Sequence, residues 1–487
     1  MNAWLADLLR PGAAARRRSR RVLAWLAAVT ASVAAAGGAP GVAPEVESTV
    51  VPGLAAPAQI VIDRWGVPHL YAASTDDLFF VQGFNAARDR LFQIDLWRRR
   101  GLGRLAAALG PDFVEQDRAA RLFLYRGDMA REWRRYGPGA ERIATRFVAG
   151  INAYIDLVGR EPARLPLEFA RLGYAPEKWQ AEDVVRIRSH GLARNLGSEV
   201  WRALVACRSS VQADEVRQPL SPPWQAQLPA GLDPCVPPQL MRAYLLGTQA
   251  VSLPLHRRVG AADPVAAFLA AAAPAGSAGT LEGSNAWVVG PARSGTGRPL
   301  LANDPHRGYA APSLRYLVHL SAPGLDVIGG GEPALPGVSI GHNDRIAFGL
   351  TVFSADQEDL YVEALNPERP DEVRHGGGWE RLRTVREAIP VRGGSPVTVE
   401  LQFTRHGPVL YVDRARQRAY ALRSVWFEPG TAPYFGGIGV MQARDFEAFR
   451  RAMSIWGTPS ENQLYADVAG NIGWVAGGLM PVRPNWD

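Results

Sequence analysis

Ser284 follows a stretch that reads as exposed and cleavable, Ala270-Ala271-Ala272-Ala273-Pro274-Ala275-Gly276-Ser277-Ala278-Gly279, inside a spacer running from 255 to 283. Breaking the Gly283–Ser284 bond would turn an internal serine into an N-terminus carrying a hydroxyl and a free α-amine. The hydroxyl is then a nucleophile and the amine its own general base, because an α-amine titrates near ~7.7–8.0. Gly283 suits such a cut: without a Cβ, the backbone can distort until the hydroxyl attacks its own preceding carbonyl. These two residues imply self-processing followed by hydrolysis of an amide. The plain alternative is a serine in a flexible linker.

Other residues could serve the same chemistry. His306, in Asn303-Asp304-Pro305-His306, offers a neutral imidazole that could accept from the Ser284 amine or orient it. It could equally be a turn histidine after Asp-Pro. Asp356 and Asp359 flank Gln357-Glu358, and two carboxylates this close repel unless a cation or an arginine sits between them. Oxygen ligands of this kind suit calcium, against the simpler reading of a solvated acidic loop. Gly337-Val338-Ser339-Ile340-Gly341 fits the G-x-S-x-G nucleophile elbow, which must pass from a strand directly into a helix. Here His342-Asn343-Asp344 reads as a turn before another strand, so an esterase built on Ser339 is the third choice. Cys207 and Cys235 could form one disulfide or remain two thiols, since spacing says nothing about their geometry. They lack the spacing of a zinc site.

The elements that must position these residues change along the chain. Gln59-Ile60-Val61-Ile62 suits a strand. From Thr75 to Leu109 apolar residues recur at three- and four-residue spacing (Phe80, Phe84, Ala87, Leu91, Ile94), which predicts a helix capped by Thr75 or Asp76. Residues 110–250 continue mostly helical. After Ser284 short apolar runs alternate with Gly, Pro and Asn-Asp turns, as in Trp287-Val288-Val289, Tyr316-Leu317-Val318-His319-Leu320 and Val397-Thr398-Val399-Glu400-Leu401. A helical first part and a β-rich second part imply an α+β fold.

Ser284-Asn285-Ala286-Trp287-Val288-Val289 and Arg298-Pro299-Leu300-Leu301-Ala302-Asn303-Asp304-Pro305-His306 resemble the start of the β subunit of the penicillin acylase family of N-terminal-nucleophile hydrolases. Upstream, Asp63-Arg64-Trp65-Gly66-Val67-Pro68-His69 and the block Gln82 to Asp95 resemble the opening of its α subunit. Downstream, the blocks Pro336 to Gly349 and Tyr465 to Gly473 also fit, so the resemblance runs from about Pro57 to the C-terminus. It implies a four-layer αββα sandwich in which Ser284 begins a central strand. The α-subunit part would be 45–254, the excised spacer 255–283 and the β-subunit part 284–487.

The resemblance also implies roles. The family's main-chain oxyanion donor falls on the N–H of Val352, and its side-chain donor on Asn462. Arg483 sits where the family often has an arginine near the site. His306 stands at a position that holds histidine in cephalosporin-type and acyl-homoserine-lactone-type acylases and glutamine in penicillin G acylases. A structural calcium would take Asp356, Asp359 and Glu199, with Asp467 as a further ligand. The substrate would be a small-molecule linear amide, such as the side-chain amide of a β-lactam or an N-acyl homoserine lactone. Family β subunits are more than twice as long as the stretch from Ser284 to Asp487, so the sequence is expected to stop within the pattern. A truncated, catalytically inactive relative acting as a binding or scaffold protein is the alternative.

The formal charge is +7, but Arg16, Arg17, Arg18, Arg20 and Arg21 supply five of those charges in a segment expected to be removed. That argues against a nucleic-acid partner. The run precedes the apolar stretch Val22 to Ala36, the length of a signal core and short for a membrane span. Ser19-Arg20-Arg21-Val22-Leu23-Ala24 resembles a twin-arginine signal. Residues 1–44 therefore read as a targeting segment to the periplasm or outside, with an uncleaved N-terminal anchor as the alternative. Composition, 47% hydrophobic and 21% charged, is that of a globular chain.

Overall fold

The computed structural model describes residues 46–189, 194–219, 227–228, 230–253, 263–270, 284–308 and 310–482. The chain separates into Met1–Val50 and the unit Val51–Asp487. Of the first, residues 46–50 are described and are exposed. The targeting segment 1–44, Gly283 and Arg483 lie outside the described residues. Among the described residues no helix is long and apolar enough to cross a membrane.

An eight-stranded sheet runs through the second unit in the order β1 (Gln59–Ile62), β2 (Pro68–Tyr71), β5 (Tyr316–Ala322), β6 (Leu325–Gly331), β7 (Ile340–Asn343), β8 (Ile346–Val352), β16 (Glu461–Asp467), β17 (Ile472–Gly477). Its strands come from both sides of Ser284. The junction is the parallel pair β2–β5, and every other pair is antiparallel. A second, three-stranded sheet joins β14 (Val409–Asp413), β15 (Arg418–Ser424) and β9 (Glu358–Ala364). Two hairpins, β10–β11 (Glu372–His375, Gly378–Arg381) and β12–β13 (Arg383–Ile389, Val397–Phe403), complete the β-rich part.

One face of the large sheet is closed by helices. The helix Thr75–Leu102 starts where Ser74, rather than Thr75 or Asp76, accepts the N–H of Asp77. It stops at Gly103, whose φ of 63° only glycine adopts freely. It crosses the helix Ala140–Arg160 at backbone contact. A Cβ on Gly83 would stand 1.8 Å from the Phe147 carbonyl oxygen, and one on Gly150 would stand 1.8 Å from that of Phe80. Phe80, Ala87, Leu91 and Ile94 pack with Val318, Val327, Phe348, Leu350 and Tyr465 of the sheet in one core. Phe84 of the expected apolar stripe is only half-buried.

Two features depart from expectation. The spacer contains a helical turn pair, Pro264–Ala270, whose Phe268 ring tilts against Trp201. Ser284 begins β3 (Ser284–Val289), which pairs with β4 (Leu300–Pro305) alone among the described residues. This hairpin is not a central strand of the large sheet. It lies against β8, β16 and β17, on the face the helices leave open.

Candidate functional site

The alternation of side chains along paired strands decides which residues meet. On β8 and β16 the cross-strand partners Val352–Glu461, Leu350–Gln463 and Phe348–Tyr465 share the helix-covered face. Thr351–Asn462 and Gly349–Leu464 share the other face, toward the β3–β4 hairpin. Gly349 is there for room, since a Cβ on it would stand 3.0 Å from Oδ1 of Asn303.

Asn303, in the middle of β4, clips the hairpin to the sheet. Its Nδ2 donates to the carbonyls of Leu350 (2.9 Å) and Asn285 (3.0 Å), and its Oδ1 accepts the N–H of Leu350 (3.0 Å). One amide thus ties Ser284's neighbour to the strand that ends at Val352. The same register orients Val352. Phe353 donates its N–H to Ser460 at 2.9 Å, so that pair is the hydrogen-bonded one and Val352–Glu461 is not. The Val352 N–H therefore points away from β16, along the edge where Leu350 meets Asn303.

Asn462 lies on the hairpin face beside it. Trp474 of β17 donates its indole N–H to Oδ1 of Asn462 at 3.0 Å. An indole nitrogen is only a donor, so this contact fixes which end of the amide is oxygen. Nδ2 is turned toward Thr351 Oγ1 (3.0 Å) and the Val352 carbonyl (3.4 Å). His306 follows Pro305, the register partner of Ser284. Its Nε2 meets Asp304 Oδ2 at 2.9 Å and Asn285 Nδ2 at 3.4 Å. The hairpin that begins at Ser284 and is followed by His306 packs against β8 and β16, the strands that carry Val352 and Asn462. Asn303 and Trp474 were not singled out from sequence. A polar amide directly after the apolar run Leu300-Leu301-Ala302 is the signal that could have found Asn303.

The acidic residues gather elsewhere. Carboxylate oxygens of Glu199, Asp356 and Asp359 lie within 4.8 Å of one another. Burial first, then the charges of Asp356, Asp359 and Glu358, pushes Glu199 well above the usual carboxylate range. Nδ2 of Asn195 stands among them, 2.6 Å from Asp356 and 3.0 Å from Glu199. Glu358 turns the other way and accepts the N–H groups of Asn195 and Leu196 at the start of the helix Leu196–Arg208, plus the Tyr244 hydroxyl. A set of oxygens that repel one another is what a hard cation would relieve, so the three residues fit a metal ion. Asp467 is apart from them. Its carboxylate is taken up by Tyr465 and Asn471 at the β16–β17 turn.

Ser339 is followed by β7, a strand, so the strand-to-helix elbow is missing. Its hydroxyl accepts from Arg315 at 2.6 Å. Cys207 and Cys235 form a disulfide.

Comparison with known proteins shows the family of the chain. The pattern described as penicillin amidase matches residues 57–487, and the chain belongs to that family. It is 32% identical over 448 residues to the penicillin acylase 2 proenzyme of Pseudomonas sp. strain SE83, covering 90% of this chain and 54% of that protein. It is 29% identical over 462 residues to penicillin G acylase of Escherichia coli, covering 87% and 54%. It is 29% identical over 472 residues to the acyl-homoserine lactone acylase QuiP of Pseudomonas aeruginosa, covering 90% and 52%. The chain spans about half the length of the curated relatives it matches.

Proposed function

We propose that this chain is the processed-precursor part of an acylase that hydrolyses linear amides through an ester on Ser284. Cleavage after Gly283 frees the Ser284 amine and excises the spacer, leaving parts 45–254 and 284–487 intertwined in a four-layer αββα sandwich. The amine takes the hydroxyl proton as Ser284 Oγ adds to the substrate carbonyl. The oxyanion is received by the Val352 N–H and Asn462 Nδ2, which are preorganised donors. The C–N bond then breaks, the proton passes to the leaving amine, and water hydrolyses the ester. His306 orients the Ser284 amine from the end of β4, and Arg483 completes the site. Glu199, Asp356 and Asp359 would hold a calcium ion that ties the two parts together, away from the reacting atoms. The substrate class is the side-chain amide of a β-lactam or an N-acyl homoserine lactone, met after export by the segment 1–44.

The observation that supports this reading is the Asn303 clip, which ties Asn285, the neighbour of Ser284, to Leu350 on the strand that ends at Val352. The test is intact mass and N-terminal sequencing of the expressed chain beside Ser284→Ala. A new chain beginning at Ser284 in the wild type alone is the expected result. A single uncut chain in both would overturn self-processing.

A further inference from the structure

Far from the hairpin, two histidines face each other across the parallel junction β2–β5. His69 and His319 are register partners, one from before Ser284 and one from after it. Their Nδ1 atoms are 3.0 Å apart, with the rings at 84°. Each ring is held from behind by a carboxylate. Nε2 of His319 meets Oδ1 of Asp326 at 3.0 Å, and Nε2 of His69 meets Oδ2 of Asp63 at 3.5 Å. Both carboxylates are themselves fixed. Asp326 Oδ2 accepts from Ser321 Oγ at 3.1 Å, and Asp63 Oδ1 accepts the N–H groups of Trp65 (2.8 Å) and Val67 (2.9 Å).

The chemistry follows from counting protons. If each Nε2–H is donated to its carboxylate, each neutral imidazole has its lone pair on Nδ1. Two acceptor nitrogens then meet at 3.0 Å, an arrangement that one ion bound to both, or one Nδ1 proton shared by the rings, would satisfy. A histidine whose second nitrogen is anchored by a carboxylate is also the usual form of a metal-binding histidine. We propose that His69 and His319 form a binding site for a divalent transition-metal ion, with Asp63 and Asp326 orienting the two rings.

The spacing allows both rings to bind one ion in cis positions. With metal–nitrogen bonds of about 2.0–2.1 Å, nitrogens 3.0 Å apart subtend about 94° at the ion. A tetrahedral zinc site would want the two nitrogens about 3.3 Å apart. A right angle is the cis arrangement of tetragonal copper(II) or nickel(II). His69 and His319 keep 23% and 16% of their side-chain surface exposed, so water can fill the remaining positions. The ion would join a strand that precedes Ser284 to one that follows it, and so staple the two parts of the chain whether or not they are cut. The inference does not depend on the acylase reading.

The test titrates copper(II) into the metal-free full chain, followed by calorimetry and electron paramagnetic resonance. One high-affinity ion per chain with two-nitrogen hyperfine structure is expected, together with a higher melting temperature. His69→Asn and His319→Asn should each weaken binding at least 100-fold, and Asp326→Asn by about 10- to 100-fold. The resonance signature of the wild type alone decides the matter if a variant fails to fold. No saturable binding, a signal without two nitrogens, or affinity unchanged in both histidine variants would overturn the site and leave only a shared proton between the rings.

Discussion

The two faces of β8 and β16 are made by the same strands and behave differently. On the helix-covered face Phe348, Leu350, Glu461, Gln463 and Tyr465 are all buried. On the hairpin face Thr351 and Asn462 are half-buried, and Trp474 on the neighbouring strand is 55% exposed. The closed face is sealed by apolar area and by helices whose backbones touch. The open face is held by a few side-chain amides, and it is the face on which the proposed acylase chemistry would take place. The contrast separates what keeps the sheet folded from what aims its reactive groups, and substitutions on either face should fail in different ways.

The largest effect belongs to the closed side. Gly150→Ala drives a Cβ to 1.8 Å from the backbone oxygen of Phe80, which no rotamer can relieve. The two helices must separate, at a cost of about 3 kcal/mol or more. Denaturant unfolding should show the loss, and an unchanged midpoint would mean the crossing is looser than drawn.

Next is a pH effect on the same face. Glu461 is fully buried and neither carboxyl oxygen has a partner. Burial pushes its pKa up to about 8, with Arg315 and Arg307 pulling the other way. A carboxyl raised in the folded state binds more protons there than in the unfolded chain. Stability from this group is therefore complete at acid pH and declines as pH climbs from the ordinary carboxylate range toward 8. Glu461→Gln should flatten that slope and be the more stable protein at pH 8, with little difference at pH 5. Parallel stability curves for the two proteins would show that Glu461 is ionised throughout.

How much of this could be read in advance also divides by face. The helix Thr75–Leu102 and the strands at Trp287, Tyr316 and Val397 follow from periodicity, because apolar residues that close a core repeat at the period of their element. The ordered blocks around Ser284 pointed to the family, and the family match spans residues 57–487. The positions of the polar clips were not legible. Asn303 acts on Leu350 and Trp474 on Asn462, and neither contact follows any spacing along one element. Register sets both, and register depends on pairings that form only when distant segments meet. The disulfide was open for the same reason. The pairing of β3 was not legible either, because a strand's place in a sheet is set by its partners, and among the described residues β4 is its partner.

On the open face, Asn303→Ala should leave the N–H and C=O of Leu350 without their partner. The expected loss is about 1–3 kcal/mol, the usual cost of stranding buried polar groups. It should be local. Hydrogen exchange at Leu350 and along β3 should accelerate while the helix Thr75–Leu102 stays protected. Uniform acceleration would mean that the hairpin is part of the same cooperative unit as the closed face.

The smallest change tests aim rather than stability. Trp474→Phe keeps the ring and removes the indole N–H that fixes the Asn462 amide. Trp474 is more than half exposed, so stability should hardly change. The hydrogen bond is worth about 1 kcal/mol, and the amide would spend part of its time with oxygen where the oxyanion forms. If Asn462 stabilises the transition state, kcat should fall about 5- to 10-fold with KM unchanged, since 1.36 kcal/mol is a factor of ten. Asn462→Ala should cost more, and adding Trp474→Phe to it should cost nothing further. Additive losses would show that Trp474 acts on the substrate directly. A lost stability with unchanged kcat would move Trp474 from aiming the site to holding the sheet, and the division between the two faces would fail at that residue.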